Sequence, residues 1–89
     1  MAWRIEFDRA AARDLDKLDS QAAKRILIFL HGRVAKLDDP RIIGEALKGS
    51  KLGEFWKYRV GEYWIICFLD DGALHVLVVT IGNRREVYR

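Results

Sequence analysis

The spacing of apolar residues changes period part-way along the chain. Ile5 and Phe7 alternate with Arg4 and Glu6, the pattern of a short strand. Asp8 then suits a helix start, because its carboxylate can accept a bond from an otherwise unpaired backbone N–H. Ala11, Leu15 and Leu18 recur at helical spacing up to the interruption at Asp19-Ser20. Ser20 is the expected cap of a second helix. In that helix Ala22, Ile26, Phe29, Leu30, Val34 and Leu37 share one side, while Lys24, Arg25, Arg33 and Lys36 lie mostly on the other. Asp38-Asp39-Pro40 stops it, since proline lacks the N–H that a helix interior needs. So short a link predicts an antiparallel helical hairpin, and one more helical turn is expected between Arg41 and Gly49. From Glu54 onward the period is two. Strands over 54–60, 63–70 and 73–82 are predicted, joined by two-residue turns at Gly61-Glu62 and Asp71-Gly72 where glycine tolerates positive φ. The expected fold is α+β: an N-terminal strand and a helical hairpin packed on one face of a twisted antiparallel β-meander, with residues 1–89 forming a single domain.

Those turns imply a register. The first places Arg59 opposite Trp64, Lys57 opposite Ile66 and Phe55 opposite Phe68; the second places Trp64 opposite Val79, Ile66 opposite Leu77 and Phe68 opposite His75. Because side chains alternate faces along a strand, Trp56, Tyr58, Val60, Tyr63, Ile65, Cys67, Leu69, Leu74, Val76, Val78 and Thr80 form the expected core face. The other face carries Phe55, Lys57, Arg59, Trp64, Ile66, Phe68, His75, Leu77, Val79 and Ile81. It gathers two cations and a tryptophan at one end of an otherwise apolar surface. By pattern alone that cluster reads either as solvated charge or as a place to hold a phosphate and stack a base.

Charge shifts the balance slightly. The net charge of +3 is modest, but from Leu47 onward the chain carries seven basic residues (Lys48, Lys51, Lys57, Arg59, Arg84, Arg85 and Arg89) against five acids. Hydrophobic residues make up 51% of the chain, enough for a core rather than disorder. No apolar run approaches the ~18 residues of a membrane span, and the N-terminus lacks the apolar stretch of a secretory signal. The single Cys67 has no disulfide partner, in keeping with a reducing cytoplasm. It falls on the core face, so packing is its expected role. His31 and His75 lack neighbours at ligand spacing, so neither a metal nor another cofactor is expected.

Lys48-Gly49, the segment from Trp56 to Ile66 (WKYRVGEYWII) and the segment from Ile81 to Tyr88 (IGNRREVY) resemble the RelE branch of the RelE/ParE toxin superfamily. The resemblance extends over nearly the whole chain and includes the order of strand, helical hairpin and meander. It implies the toxin of a type II toxin–antitoxin system, a cytoplasmic endoribonuclease that cleaves messenger RNA in the ribosomal A site by 2′-hydroxyl attack on the adjacent phosphate. Residue by residue, it implies catalytic roles for Lys57, Arg59, Arg84 and Tyr88. Lys57 would help deprotonate the 2′-OH, Arg59 and Arg84 would bind the phosphate, and Tyr88 would stack on or orient a nucleotide. Trp64, Lys48, Lys51 and Arg85 are the expected substrate-binding residues. The implied partners are a cognate antitoxin protein, the ribosome and its mRNA, and operator DNA reached through the antitoxin. Trp64 stands where many relatives carry arginine, and Asn83 where histidine is frequent, departures that predict weakened cleavage. The alternative within the same fold is a ParE-like inhibitor that binds DNA gyrase and performs no RNA chemistry.

Overall fold

The computed structural model describes residues 2–47 and 55–83. Strand β1 (Arg4–Phe7) leads into helix α1 (Arg9–Lys17), and helix α2 (Ser20–Gly32) follows after two residues. Two 3-10 turns, Val34–Lys36 and Pro40–Ile43, precede β2 (Glu45–Ala46), and β3 (Phe55–Val60), β4 (Tyr63–Asp70) and β5 (His75–Asn83) complete the order. Among the described residues no helix is long and apolar enough to cross a membrane.

Asp8 caps α1 as expected, accepting from Arg9 N–H at 2.8 Å. The cap of α2 is Asp19 rather than Ser20. Its carboxylate accepts from Ala22 N–H at 2.8 Å, which makes Ser20 the first helical residue. Helix α2 also stops at Gly32, short of the predicted Leu37, because the chain tightens there into a 3-10 turn. The tightening buries Val34 and Ala35 together and presents the Ala35 carbonyl to Trp3 N–H at 2.8 Å. Trp3 is itself buried, and its indole N–H donates to the Asp38 carbonyl at 3.3 Å. The helical turn expected between Arg41 and Gly49 is shorter than predicted: a 3-10 turn gives way at once to β2, and Lys48 and Gly49 lie outside the described residues.

Among the described residues the sheet has five strands, in the order β1-β5-β4-β3-β2. Its centre is the predicted antiparallel meander, but β1 pairs parallel with β5, so the sheet is mixed. The helices cover one face. Ala11, Ile26, Leu30 and Val34 meet Tyr58, Ile65, Cys67, Leu69, Val76, Val78 and Ile81 in a single core. The β3–β4 register is the predicted one, around a turn in which Gly61 has φ +61°.

The β4–β5 register differs from the prediction for two reasons. The turn after Asp70 takes four residues, with Leu74 at φ 50°, so Phe68 faces Leu77 rather than His75. A β-bulge then lets β5 spend one extra residue between the pairs Cys67–Val78 and Ile66–Thr80. Beyond the bulge the faces exchange, and Ile81, assigned by simple alternation to the open face, pairs with Ile65 and is buried. Asp14 of α1 secures the irregularity, accepting from Ile81 N–H at 3.1 Å and from the Thr80 hydroxyl at 3.2 Å.

Cys67 lies fully inside this core, and burial pushes its thiol up to about 12 from an ordinary 9.0. The folded chain therefore holds this proton more tightly than the unfolded chain. The associated stability is complete below pH 9.0 and is lost as pH rises toward 12. Burial raises the Tyr58 hydroxyl in the same sense. The urea midpoint should fall between pH 9 and pH 11, and fall less steeply in Cys67→Ala; equal slopes would show that the thiol does not contribute.

Candidate nucleic-acid interface

Residue pairing across the sheet assembles the open-face cluster in two adjacent rows. One row runs Glu45, Lys57, Ile66 and Thr80 across β2, β3, β4 and β5; the other runs Arg59, Trp64 and Gly82 across β3, β4 and β5. Lys57 and Arg59 are two residues apart on β3 and so share a face. Further along, Phe55 and Phe68 stack at a tilt with ring centroids 5.7 Å apart, giving that face an apolar floor.

Lys57 and Arg59 border a cleft of about 380 Å³ whose other lining residues are Ile43, Gly44 and Glu45. Glu45 Oε1 is 4.0 Å from Lys57 Nζ, at the outer limit of an ion pair. Arg59 is exposed and has no carboxylate partner among the described residues. A half-buried ammonium beside an unpaired guanidinium suits a phosphodiester, whose oxygens accept from both.

Trp64 has a second neighbour that sequence pattern did not anticipate. Its indole lies directly over the backbone of Gly82, so close that a methyl group at that position would overlap the ring. The predicted partner was Val79; the longer turn and the bulge bring Gly82 there instead. Glycine is required because only a residue without a Cβ lets the ring lie flat on the strand. The indole in turn covers backbone that glycine leaves bare. Gly82→Ala should therefore cost roughly 1–3 kcal/mol as an overpacking substitution, and Trp64→Ala in the same chain should restore most of the loss. Urea denaturation of the two single variants and the double variant measures the coupling, and additive effects would rule the contact out.

Of the eight residues nominated from sequence, Lys57, Arg59 and Trp64 come together on this face. Lys48, Lys51, Arg84, Arg85 and Tyr88 lie outside the described residues. Strand β5 ends at Asn83, one residue past Gly82 in the Arg59–Trp64 row. His75 sits at the other end of β5, where its Nε2 approaches Glu6 Oε1 at 2.7 Å without the alignment of a good hydrogen bond. The residue that sequence reasoning missed is Glu45. A two-residue strand has no readable period, so only the pairing of β2 with β3 places its carboxylate beside Lys57.

Residues 5–88 match the family model described as ParE toxin of type II toxin-antitoxin system, parDE. The chain belongs to this toxin family. The toxin is 27% identical to Toxin RelG of Mycobacterium tuberculosis over 89 residues, covering 100% of this chain and 99% of the relative. It is 29% identical to Toxin RelE of the same organism over 87 residues, covering 98% and 87%. Its fold matches the crystal structure of the RelBE2 toxin–antitoxin complex from M. tuberculosis with a TM-score of 0.83, at 24% identity over 94% of this chain and 93% of that one. The intact RelBE complex of E. coli aligns with a TM-score of 0.75, at 23% identity over 92% and 96%. These structural likenesses extend the agreement to the α+β architecture as a whole.

Proposed function

We propose that this toxin is a ribosome-dependent endoribonuclease that cuts messenger RNA in the A site. The observation that carries the reading is the alignment of Lys57, Arg59 and Trp64 on one open sheet face, level with the end of β5. In-line transesterification needs cations on the phosphate, a route for the 2′-OH proton and a surface that holds the nucleotide. Arg59 takes a phosphate oxygen, and Lys57 steadies the 2′-oxygen as it loses its proton. Trp64, seated on Gly82, offers its ring as a stacking surface. Arg84 and Tyr88 act with them on the phosphate and the nucleotide, while Lys48, Lys51 and Arg85 add backbone contacts. Trp64 in place of arginine leaves one fewer charge on the transition state, so this chain cuts more slowly than its Trp64→Arg variant.

The toxin acts in the cytoplasm and is restrained by a cognate antitoxin, as the solved complexes of RelE-type toxins suggest. Operator DNA is reached through that antitoxin. Mapping mRNA 5′ ends on ribosomes with a filled P site and an empty A site tests the reading. Cuts within the A-site codon, lost in Arg84→Ala, support it. Absence of both cutting and ribosome binding in the chain as given and in Trp64→Arg sinks it. The ParE description of the family model favours gyrase as the alternative target, and induced cells would then show DNA damage without mRNA cuts.

A further inference from the structure

We propose that Asp14 is a positioning residue of the open sheet face: from α1 it holds the bulge in β5, and the bulge keeps Gly82 beneath the Trp64 indole, the surface on which a nucleotide stacks. Its consequence for cleavage rests on the ribonuclease reading; its consequence for Trp64 does not. Asp14 is not among the residues lining the cleft of Lys57 and Arg59, so its influence on the site passes through the strand.

The bond that Asp14 makes fits one register of β5. Along a strand, the N–H groups of every second residue point to the same edge. The Val78 carbonyl accepts from Asp8 N–H at 2.9 Å, so Val78 faces the β1 edge. In a regular strand Thr80 would be the next residue to face that edge. The extra residue at the bulge makes it Ile81 instead, and Ile81 N–H reaches Asp14 Oδ2 at 3.1 Å. The Thr80 hydroxyl donates to the same oxygen at 3.2 Å. Strand β1 has ended by then, at Phe7 opposite Val78, so the carboxylate takes the place of a strand partner along the edge. Helix α1 brings it there. Ala11, one turn earlier on the same side, is fully buried. Asp14, Lys17 and Leu18 line a cavity of about 210 Å³ together with Ile81, Gly82 and Asn83.

Removing the bulge would change what lies under the indole. Counting on from the Cys67–Val78 pair without an extra residue sets Val79 opposite Ile66, Thr80 opposite Ile65, Ile81 opposite Trp64 and Gly82 opposite Tyr63. Trp64 would then face a stiff β-branched side chain, and its ring could not lie flat on the strand. Keeping the bulge without the carboxylate would leave the Ile81 N–H without this acceptor. Asp14 therefore weights the choice between the two registers, and that choice decides whether Trp64 is seated on glycine or displaced. A displaced ring misplaces the stacked nucleotide against Arg59, which Trp64 faces across the β3–β4 pair.

The test compares the chain as given with Asp14→Ala and Asp14→Asn, by NMR and by single-turnover cleavage on programmed ribosomes. The Gly82 Hα protons, held beneath the indole, should resonate upfield in the parent through the ring current. Asp14→Ala should lose that shift. Asp14→Asn, whose amide oxygen still accepts two bonds, should keep it. Asp14→Ala should also slow cleavage by about 10²-fold, the scale of a misplaced substrate. The same change should slow Trp64→Arg by no more than about threefold, because the ring through which Asp14 acts is gone. Deleting Val79 leaves a regular strand that pairs Gly82 with Trp64 without a bulge. Asp14→Ala in that chain should keep the upfield shift, even if Asp14→Ala alone does not fold. An unchanged Gly82 signal in a folded Asp14→Ala chain would overturn the proposal. So would loss of the signal from Asp14→Ala in the Val79-deleted chain, or equal slowing with and without Trp64. If neither parent chain cuts, the ribonuclease reading itself falls, and the Gly82 signal still decides whether Asp14 seats Trp64.

Discussion

Replacing Tyr58 with alanine should remove about 3–5 kcal/mol of folding stability, the usual cost of deleting a large aromatic from a core. That is a large share of the ~5–15 kcal/mol available to a domain of this kind. Tyr58 is only 1% exposed and is the largest of the fully buried side chains. Its ring meets Phe29 of α2 edge-on, with centroids 6.1 Å apart, and lies under Gly44. Its hydroxyl donates to the Pro40 carbonyl and so ties β3 to the Pro40–Ile43 turn. Tyr58→Phe keeps the ring and leaves that carbonyl without this donor, so it should cost only about 1–2 kcal/mol. Urea denaturation of both variants separates packing from the hydrogen bond. A Tyr58→Ala chain as stable as the parent would mean that the contacts between α2, the Pro40–Ile43 turn and β3 do not hold the core. Tyr58 also lies between Lys57 and Arg59, and it anchors the segment that carries Glu45. The phenylalanine variant should therefore retain its fold while loosening the cleft.

What sequence made legible follows from local chemistry. Gly61-Glu62 dictates a two-residue turn, and a two-residue turn fixes register, so the pairing of Lys57 with Ile66 and Arg59 with Trp64 could be read from four residues and the period of two. Asp71-Gly72 carries the same signature, yet the chain uses Ala73 and Leu74 in the turn as well. Leu74 adopts a left-handed conformation that nothing about leucine announces. The bulge in β5 was invisible for a related reason: its cause is distant. Asp14 of α1 holds the Ile81 N–H, and a carboxylate 67 positions away leaves no mark on the alternation of Val78, Val79, Thr80 and Ile81. Nothing in the local sequence Asp14-Leu15-Asp16 marks Asp14 for that role. The parallel pairing of β1 with β5 and the placement of Glu45 likewise depend on tertiary contacts between short segments, where pattern has too few residues to speak. The cations of the candidate site were legible because they lie on a long strand; their acidic neighbour was not.

Arg59→Ala should lower the rate of A-site cleavage by about 10²–10³ if the ribonuclease reading holds, the cost of losing one preorganised donor to transition-state charge. Stability should change by no more than about 0.5 kcal/mol, as expected for an exposed side chain outside any core or cap. Arg59 is exposed and unpaired among the described residues, so its removal opens no cavity and leaves no buried charge behind. Arg59→Lys keeps the charge but loses the planar fork that grips two phosphate oxygens, and it should fall between the parent and alanine. Arg13→Ala, which removes another exposed arginine, from α1, and lowers the net charge by the same amount, should cut at the parent rate. That control separates a positioned guanidinium from general attraction to RNA. If Arg59→Ala and Arg13→Ala lose the same small factor, the pair on β3 is solvated surface charge after all. If only Arg59→Ala fails, and fails in rate rather than in ribosome binding, then the guanidinium acts on the phosphate as its charge develops. The row that joins Arg59 to Trp64 and Gly82 is then the floor on which the RNA is held.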